Sequence, residues 1–515
     1  MNISVVQKQI QALPADALIV NLFEGVTTPG GATGAVDSAL GATDGIPGDG
    51  MISRLIKLGD FKGKLNEVAV LYSNGMIPAP RVILVGLGKR EQLTTDRVRQ
   101  VSGVAARKAR DLGCKRVSSI VHGGGLGGLD AQAAAQATVE GALMGTYQFR
   151  ENKSSPGNGK QIDELVLVEF NPARVQAVRA GAHDGETVAA GVNSARTLIN
   201  RAPNHLTPAA MAEFVRDMAA ASGLSATVLQ ADELAQLKMG GILAVSQGSA
   251  NLARFVILDS QPDSKSAPLV FIGKGVTFDS GGISLKDPTG MESMKADMGG
   301  AAAVIGAMQA IGAMKLKQRF VGLLPLVENM PGGHAYRPGD VITMMNGMTV
   351  EIISTDAEGR LILADALHYA KRFAPRGVVD LATLTGACVV ALGEGIAAGL
   401  FGNDDAWSAQ VMKCAAAAGE RLWQLPLYAE YGEKLKGEAA DLKNSAGRNN
   451  GVGTSAWFLK RFTESEQGGD AYPWAHIDMA AMMFNPDSKG YQPRGAMGYG
   501  VRLLIELARA NDVRV

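Results

Sequence analysis

Ser354-Thr355-Asp356-Ala357-Glu358-Gly359-Arg360-Leu361 is the stretch around which the rest of the chain is organised. A strand-like run, residues 350–353, precedes it, and a helix-like run, residues 361–373, follows it. We therefore expect Asp356 and Glu358 at the carboxyl end of a strand, where open α/β sheets form their ligand crevices. Two carboxylates in one short turn repel each other, and the single arginine of the stretch is too little positive charge for both. A bound cation is the simplest remaining partner.

A second group of charged residues follows an earlier strand-like run, residues 269–272. Lys274 and Asp279 come first, Lys286 and Asp297 follow, and a pair of glycines comes shortly after each aspartate. Taken singly, each acid fits a helix cap or a turn, and each lysine fits a solvated surface charge. Taken together, the charges lie among apolar and small residues, where burial is costly unless they are paired or bind metal. Four carboxylates from separate loops are enough for two divalent ions of the hard type, such as Mg²⁺, Mn²⁺ or Zn²⁺.

The composition is that of a globular protein with more than one domain. The chain has 515 residues, of which 46% are hydrophobic and 19% charged, and this length predicts two domains. Lysine plus arginine equals aspartate plus glutamate, at 50 each, so the formal net charge is zero. Nothing in this balance favours a nucleic-acid partner, although a local basic patch stays open.

The cysteines and the apolar runs bear on the compartment. Cys114, Cys388 and Cys414 have no pairing rhythm, which predicts a reducing compartment and argues against a disulfide framework or a cysteine metal site. Residues 1–9 lack a basic stretch followed by an apolar one, and no apolar run reaches membrane-spanning length. The sequence therefore predicts a cytoplasmic protein with no membrane partner.

Strand-like and helix-like runs alternate along the whole chain, which predicts an α/β fold with two domains. We expect a smaller N-terminal α/β domain over residues 1–170, a linker helix over 171–200, and a larger catalytic domain over 201–515. The larger domain is expected to hold a mixed, mostly parallel sheet flanked by helices.

Three glycine-rich stretches of the first domain are interpreted as ordinary turns or loops. The stretch Gly86-Leu87-Gly88-Lys89-Arg90-Glu91 begins like a dinucleotide-binding loop, but Glu91 occupies the third glycine position. An ordinary strand-to-helix turn is the better interpretation. His122-Gly123-Gly124-Gly125 and the segment 30–50 are interpreted as loops.

The charged stretches resemble those of a known family. Residues 355–361 resemble the signature of the leucyl aminopeptidase family, the cytosol aminopeptidases that include the bacterial aminopeptidase A type, and residues 274–282 resemble its other metal loop. The likeness continues through Arg337-Pro338-Gly339-Asp340, Ala382-Thr383-Leu384-Thr385-Gly386-Ala387-Cys388 and Trp474-Ala475-His476-Ile477-Asp478. It covers roughly residues 195–500, whereas the first domain is similar in size and position only.

The resemblance implies two adjacent divalent ions, Mn²⁺ or Zn²⁺, and a role for each matching residue. One ion is implied to bind Lys274, Asp279, Asp297 and Glu358. The other is implied to bind Asp279, Asp356 and Glu358, with Asp356 adding its backbone carbonyl. Lys286 is implied to lie near the substrate carbonyl, and Arg360 to hold a bicarbonate ion that acts as the base. The pocket for the first side chain is implied to be lined by Met294, Thr383, Leu384 and Gly386.

The implied activity is removal of the N-terminal residue, leucine-like residues being preferred, from peptides with a free amino terminus. Two metals would activate a water, Lys286 would stabilise the oxyanion, and bicarbonate on Arg360 would transfer the proton. The family assembles as homohexamers whose active sites face an interior cavity. Ser354 stands where many members have Asn, which leaves the side-chain preference open. His334, His368 and His476 are predicted to be structural.

The sequence leaves two further functions as alternatives to an aminopeptidase. Another two-metal hydrolase, such as a phosphoesterase, fits less well, because a lysine ligand and an apolar pocket with Met294 and Leu384 do not suit phosphate esters. A DNA-binding architectural or regulatory role, known for some bacterial members of the family, would require a basic groove. The first domain has many basic residues between positions 89 and 116, but the zero net charge makes this a side hypothesis. An inactive relative is disfavoured because every implied metal and catalytic position is intact.

Overall fold

The computed structural model describes residues 1–41, 50–154 and 159–512. The chain forms two compact units. Unit 1 comprises residues 1–189 and 486–494, and unit 2 comprises residues 190–485 and the C-terminal segment from residue 495 onward. Both units combine sheets with flanking helices, so the predicted α/β class is confirmed.

Unit 1 is built on a six-stranded sheet. In spatial order its strands are Asn2–Val6, Glu164–Val168, Arg116–Ile120, Ala17–Leu22, Arg81–Gly86 and Val68–Tyr72. Every neighbouring pair is parallel except the last, in which Val68–Tyr72 runs antiparallel. The parallel strands therefore end at one common edge of the sheet.

Helices cover both faces of this sheet, as the alternation of side chains along its central strand requires. Leu18 and Val20 pack with the helices Gly31–Ala39 and Met51–Leu58. Ala17 and Ile19 point to the opposite face, where the cluster includes residues of the helices Thr95–Asp111 and Ala131–Gly145. The prediction of a loop over residues 30–50 is wrong where Gly31–Ala39 is helical, and residues 42–49 lie outside the described residues.

Unit 1 is completed by a segment from near the end of the chain. Residues 486–494 return to it, and the hydroxyl of Tyr491 donates a hydrogen bond of 2.9 Å to Asp96. The backbone of Tyr491 also lies against Gly103, where a Cβ atom would be 2.6 Å from the Tyr491 Cα. Only glycine therefore fits at position 103. The helix Pro172–Asn200 spans the segment predicted as the linker, and the division between the two units falls within it, after Ala189.

Unit 2 is built on a nine-stranded sheet. Along its main path the strands are Leu422–Gln424, Ala398–Gly402, Trp474–Asp478, Gly377–Ala382, Leu269–Gly273, Phe320–Asn329, Arg254–Asp259 and Ser225–Leu229. The ninth strand, Gly275–Asp279, pairs in parallel with the far end of Phe320–Asn329. Five of the pairs are parallel and three are antiparallel, so the predicted mixed, mostly parallel sheet is confirmed.

Helices flank both faces of the central strands. Gly322 faces Val304 and Met308 of the helix Gly299–Met314. Leu323, its neighbour, faces the other way and packs with residues of the helix Gly359–Ala370. The remaining α-helices of unit 2 are Pro208–Ser222, Ala231–Gln236, Gly240–Ser246, Gly386–Leu392, Asp405–Ala418, Glu430–Glu433, Gly451–Lys460 and Val501–Asn511. Among the described residues, no helix is long and apolar enough to cross a bilayer.

The strand that leads to Asp356 is not part of the main sheet. It spans Thr349–Glu351 and belongs to a three-stranded sheet with Val341–Thr343 and Leu442–Lys443. The expectation that Asp356 and Glu358 end a strand of the open α/β sheet is therefore wrong. Asp279 does end a strand of the main sheet, and Lys274 lies between two of its strands.

Candidate metal centre

Lys274 lies at a break between the strands Leu269–Gly273 and Gly275–Asp279. Its backbone amide donates to the carbonyl of Leu381 at 3.0 Å, so the neighbouring strand fixes its position. Its side chain passes against Gly359, the first residue of the helix that follows Glu358. A Cβ atom on Gly359 would lie 2.5 Å from the Lys274 Cε, so a glycine is required for this approach. The signature glycine therefore makes room for the lysine.

The ammonium group of Lys274 is surrounded by acceptors. Its Nζ lies 2.8 Å from an oxygen of Asp297, 2.8 Å from Oε1 of Glu358 and 3.0 Å from the carbonyl of Thr383. The Thr383 hydroxyl donates to Asp297 at 2.7 Å. Burial lowers the pKa of Lys274, but the carboxylates of Asp297, Glu358 and Asp279 outweigh it and raise the pKa above its usual value.

A second lysine joins the other two carboxylates. The Lys286 Nζ lies 2.9 Å from Oδ2 of Asp279 and also contacts Oδ1 of Asp356. Lys286 is 24% exposed, whereas Lys274 is 3% exposed. A molecule in solvent can therefore reach the ammonium group of Lys286 directly but not that of Lys274. The structure thus brings all four predicted carboxylates and both predicted lysines into one site.

The carboxylates of this site have perturbed titrations. Burial, followed by the charges of Glu358 and Asp279, raises the pKa of Asp356 to about 6. Burial also raises the pKa of Asp297 well above its usual value, against the opposing charge of Lys274. The pKa of Glu358 is lowered instead: burial raises it, but the ammonium groups of Lys274 and Lys286 outweigh burial. Four carboxylates with two ammonium groups leave the site short of positive charge.

The same residues fit a divalent ion. Asp279, Asp356 and Glu358 each offer one carboxylate oxygen, and these oxygens all lie within 4.8 Å of one another. In addition, Oε2 of Glu358 is buried and has no hydrogen-bond partner among the described residues. A buried carboxylate oxygen without a partner is costly, and carboxylate oxygens are the ligands that hard divalent ions prefer. The donor set therefore suits the metal ions that the sequence predicts.

Asn329 was not singled out from the sequence, although it ends a main-sheet strand beside Asp279. Its Nδ2 donates to Oδ1 of Asp279 at 2.8 Å and to the carbonyl of Thr355 at 2.9 Å. The hydroxyl of Tyr336 donates to the same carbonyl at 2.8 Å. Asn329 thus joins the two predicted metal loops that the sequence identifies separately. Its position at a strand end was the signal that could have found it.

Asn444 is the second supporting residue that sequence reasoning missed. Its Oδ1 accepts from the amide of Ile353 at 2.8 Å, and its Nδ2 donates to the carbonyl of Ser354 at 2.6 Å. Its own carbonyl accepts from Nη1 of Arg360 at 2.7 Å. These bonds take the place of strand pairing at the end of the predicted strand-like run 350–353, and they hold the loop on both sides of the two acids.

We expect Asn444→Ala to lower kcat by about 10–100-fold, as is usual for residues that orient metal ligands. The loop before Asp356 loses the hydrogen bonds that the Asn444 side chain makes with Ile353 and Ser354. The Asn444 carbonyl that accepts from Arg360 is then held less firmly. The control is Asn450→Ala, which removes a single bond to the carbonyl of Ala446, and its kcat is expected to stay within about twofold. Steady-state kinetics with a chromogenic substrate compares the two. Equal kcat values for both variants would contradict the role given to Asn444.

Arg360 is buried and only partly satisfied. Its Nε has no hydrogen-bond partner among the described residues. Burial lowers the pKa of Arg360 to about 10, although the charges of Glu358, Asp478 and Asp356 oppose the shift. The guanidinium is therefore charged at neutral pH and keeps a donor for a further acceptor.

The predicted pocket residues lie on two elements beside the cluster. Met294 is half-buried in the turn Met291–Ala296, and its carbonyl accepts from the amide of Asp297 at 3.2 Å. Thr383 contacts Asp297 directly, and the amide of Leu384 donates to Asp478 at 3.2 Å. Gly386 begins the helix Gly386–Leu392, and open space surrounds its missing Cβ. Thr383 and Met294 thus both contact Asp297, a predicted metal ligand, Thr383 through its side chain and Met294 through its backbone.

The three histidines have other surroundings. His476 is buried, and its Nδ1 lies 2.6 Å from Asp380. His368 lies 3.2 Å from the Lys371 Nζ, and His334 is exposed. These contacts suit the structural roles predicted for them.

Comparison with known proteins covers both units. The profile described as "Cytosol aminopeptidase family, catalytic domain" matches residues 193–505. The profile described as "Cytosol aminopeptidase family, N-terminal domain" matches residues 22–156. The second match assigns residues 22–156 to the family. The resemblance seen in the sequence alone was limited, for the first domain, to its size and position.

Similar proteins match this chain over most of its length and most of their own. A probable cytosol aminopeptidase of Geobacter sulfurreducens is 43% identical and covers 99% of both chains, and one of Roseiflexus castenholzii is 46% identical over 88% of this chain and 92% of its own. Among solved structures, the bottromycin maturation enzyme BotP in complex with Mn is 34% identical with a TM-score of 0.83, covering 97% of this chain and 100% of its own. A mutant tomato leucine aminopeptidase is 30% identical with a TM-score of 0.84, covering 99% of this chain and 97% of its own. The chain therefore belongs to the cytosol aminopeptidase family.

Proposed function

We propose that this family member is a metal-dependent aminopeptidase that hydrolyses the N-terminal residue, preferably leucine-like, from peptides with a free amino terminus. The observation that carries the proposal is Glu358, a buried carboxylate with one unpaired oxygen, lying between Lys274 and the carboxylates of Asp279 and Asp356. Its surroundings suit a dinuclear centre of the kind that activates water for hydrolysis. The family assignment favours this activity over a phosphoesterase or a DNA-binding role.

The residues that would hold the ions follow the sequence analysis. One ion, Mn²⁺ or Zn²⁺, would bind Lys274, Asp279, Asp297 and Glu358, and the other Asp279, Asp356 and Glu358. When bound, the pair would supply a hydroxide at neutral pH and a positive charge for the scissile carbonyl. Lys274 would have to be neutral to coordinate, which a neighbouring dication enforces. The similar BotP structure contains Mn, which supports a divalent ion without deciding between Mn²⁺ and Zn²⁺.

Lys286 and Arg360 would act on the substrate and the proton. The carboxylates of Asp279, Glu358 and Asp356 outweigh the effect of burial and raise the pKa of Lys286, which favours its charged form. Its partly exposed ammonium can donate to the carbonyl oxygen as negative charge develops there. The unpaired Nε of Arg360 provides a donor for a bicarbonate ion, which would take the proton from water and deliver it to the leaving amine.

The first side chain of the substrate would lie among Met294, Thr383, Leu384 and Gly386. Met294 and Leu384 are apolar and Gly386 leaves space, so a branched aliphatic residue fits this set. Ser354 is shorter than the Asn that the family resemblance implies at this position, and its hydroxyl accepts from the amide of Asp356 at 3.2 Å. A broader preference at the first position is the expected consequence.

We also propose a cytoplasmic homohexamer. The three cysteines are buried and free, which suits a reducing compartment. Unit 2 exposes large apolar side chains that a subunit contact would cover: Ile283, Leu285, Val390, Ile396, Trp423 and Tyr428. Sedimentation velocity tests the assembly, and a monomer at micromolar concentration would contradict it.

The direct test compares leucine p-nitroanilide with N-acetyl-leucine p-nitroanilide. We expect the purified protein with Mn²⁺ or Zn²⁺ to hydrolyse the first substrate and to leave the second intact, because acetylation removes the free amine. Equal hydrolysis of both substrates would contradict an aminopeptidase. No hydrolysis of either by the folded, metal-loaded protein would contradict the proposed function as a whole.

A further inference from the structure

Unit 1 contains a cavity of about 870 Å³ that the proposed function does not use. It lies at the edge of the six-stranded sheet where the parallel strands end. Residues that follow four of these strands line it: Phe23, Leu87, Val121 and Glu169. We call it the N-terminal cavity.

The position of the cavity is one where α/β sheets bind ligands. The chain leaves the strand Ala17–Leu22 for helices on one face, Gly31–Ala39 and Met51–Leu58. From the strand Arg81–Gly86 it passes through a helix on the opposite face to Arg116–Ile120, on the other side of Ala17–Leu22. Where connections change faces in this way, a crevice opens outside the carboxyl ends of the strands.

A glycine-rich loop and a helix N-terminus, two elements rich in backbone amides, supply residues that line this crevice. The glycine-rich loop contributes Gly125, Leu126 and Gly127, and the helix Gly31–Ala39 begins there with Gly30 as a cap that has no side chain. The Leu126 Cδ1 lies 3.5 Å from where a Cβ on Gly30 would be, so the two elements are adjacent. In the part of the chain that the structure describes, no acceptor pairs with the amides of Gly125, Leu126 and Gly127. Converging amides of this type bind anions.

The charged side chains of the wall favour an anion as well. Lys8, Arg90 and Arg174 line the cavity with a single carboxylate, Glu169. Arg174 is engaged, since its Nε lies 3.7 Å from Glu169 and its Nη2 donates to the carbonyl of Gly124. The guanidinium of Arg90 instead lies over the ring of Phe23, 5.0 Å from its centre, and no described carboxylate forms an ion pair with it. Arg90 is therefore available to a ligand.

Apolar side chains form another part of the wall. Leu126 is 61% exposed and Phe170 is 70% exposed, and both line the cavity. Val26 and Ile120 add further apolar surface. A ligand that satisfies both parts of the wall carries an anionic group at one end and a flat apolar group at the other.

We propose that the N-terminal cavity binds a nucleoside diphosphate. The phosphates lie at the amides of residues 125–127 and at Arg90, and the base lies against Leu126 and Phe170. The site is independent of the metal centre, so the proposed function and this one stand or fall separately. The sequence alone did not identify this site, because residues 125–127 and the start of the helix Gly31–Ala39 come together only when the sheet has formed.

The test is calorimetric titration of the metal-loaded protein with ADP, with adenosine and with pyrophosphate. We expect saturable binding of ADP, and adenosine to bind about tenfold or more weakly, because charge-assisted bonds to phosphate are lost. Two variants locate the site. Arg90→Glu reverses the free cation, and Gly125→Phe fills the crevice at a position where a Cβ meets no atom within 4 Å. Both are expected to weaken ADP binding about tenfold or more, whereas Lys108→Glu, the same charge change on an exposed helix position, leaves it unchanged.

Each other result overturns the proposal. The absence of saturable ADP binding to the wild type removes the site. Binding of ADP that survives both Arg90→Glu and Gly125→Phe assigns the nucleotide to another place, such as the metal centre. Equal binding of adenosine and ADP removes the phosphate recognition, and equal binding of pyrophosphate and ADP removes the base. A thermal unfolding transition and a circular dichroism spectrum like those of the wild type, expected for all three variants, verify that each is folded.

Discussion

Glu358→Gln is expected to lower kcat/KM by more than about a hundredfold and to reduce the metal that the protein retains. Replacing even residues that only support a metal ligand costs about 10–100-fold, and we propose that Glu358 binds the metals itself. The change keeps the shape of the side chain but removes the charge that lies 2.8 Å from Lys274. It also removes one of three carboxylates whose oxygens lie within 4.8 Å of one another. Kinetics with leucine p-nitroanilide and metal analysis by mass spectrometry measure the two effects.

Glu351→Gln is the matched control for this prediction. Glu351 lies in the strand before the acidic stretch and accepts from the amide of Glu438 at 3.3 Å. The same chemical change there is expected to leave activity and metal content within about twofold of the wild type. Activity of Glu358→Gln close to that of the wild type would show that Glu358 does not bind the metals.

Chelation is expected to abolish hydrolysis of leucine p-nitroanilide and to lower the thermal midpoint by about 2–3 °C. Without metal, Asp279, Asp297, Asp356 and Glu358 face only two ammonium groups. A ligand at a hundred times its Kd stabilises the folded state by about 2.7 kcal/mol. For a chain of 515 residues that corresponds to a shift of about 2–3 °C. Adding Mn²⁺ or Zn²⁺ is expected to restore both activity and midpoint.

The Glu358→Gln variant separates this effect from unspecific metal binding. Its midpoint is expected to rise less than that of the wild type when metal is added, because the centre has lost a carboxylate. The contrary result would be full activity after chelation in a sample that metal analysis finds empty. That result would exclude a metal-dependent mechanism even if the family assignment stands.

Much of the candidate site could be predicted because its parts are local in sequence. Asp356 and Glu358 fall in one turn, and Lys274 and Asp279 flank one short strand, so charge among small residues was enough to single them out. Asn329 and Asn444 escaped notice because their function is long-range. Asn444 acts on Ile353 and Ser354 across 90 positions or more, and a single asparagine in a loop has no pattern that reveals such bonds.

The fold was predicted where hydrophobic patterning is strong. The helix Pro172–Asn200 matches the predicted linker helix of residues 171–200, and the strand Leu269–Gly273 matches the strand-like run 269–272. Patterning failed for the helix Gly31–Ala39, because four small or polar residues at its start resemble a loop. It also misassigned the strand before Asp356, since an apolar run does not reveal which sheet it joins. Pairing partners are decided by distant residues, here Val341–Thr343 and Leu442–Lys443.

The return of residues 486–494 to unit 1 has a consequence for biosynthesis. Ribosomes extend a chain by about 5–20 residues per second from its amino terminus, and domains generally fold in that order. Here the surface of Gly103 receives the backbone of Tyr491, and Asp96 its hydroxyl, only after nearly the entire polypeptide has been translated. Unit 1 of the nascent chain therefore remains incompletely covered while unit 2 is being translated. Translation of this protein ends, rather than begins, with completion of the part that is made first.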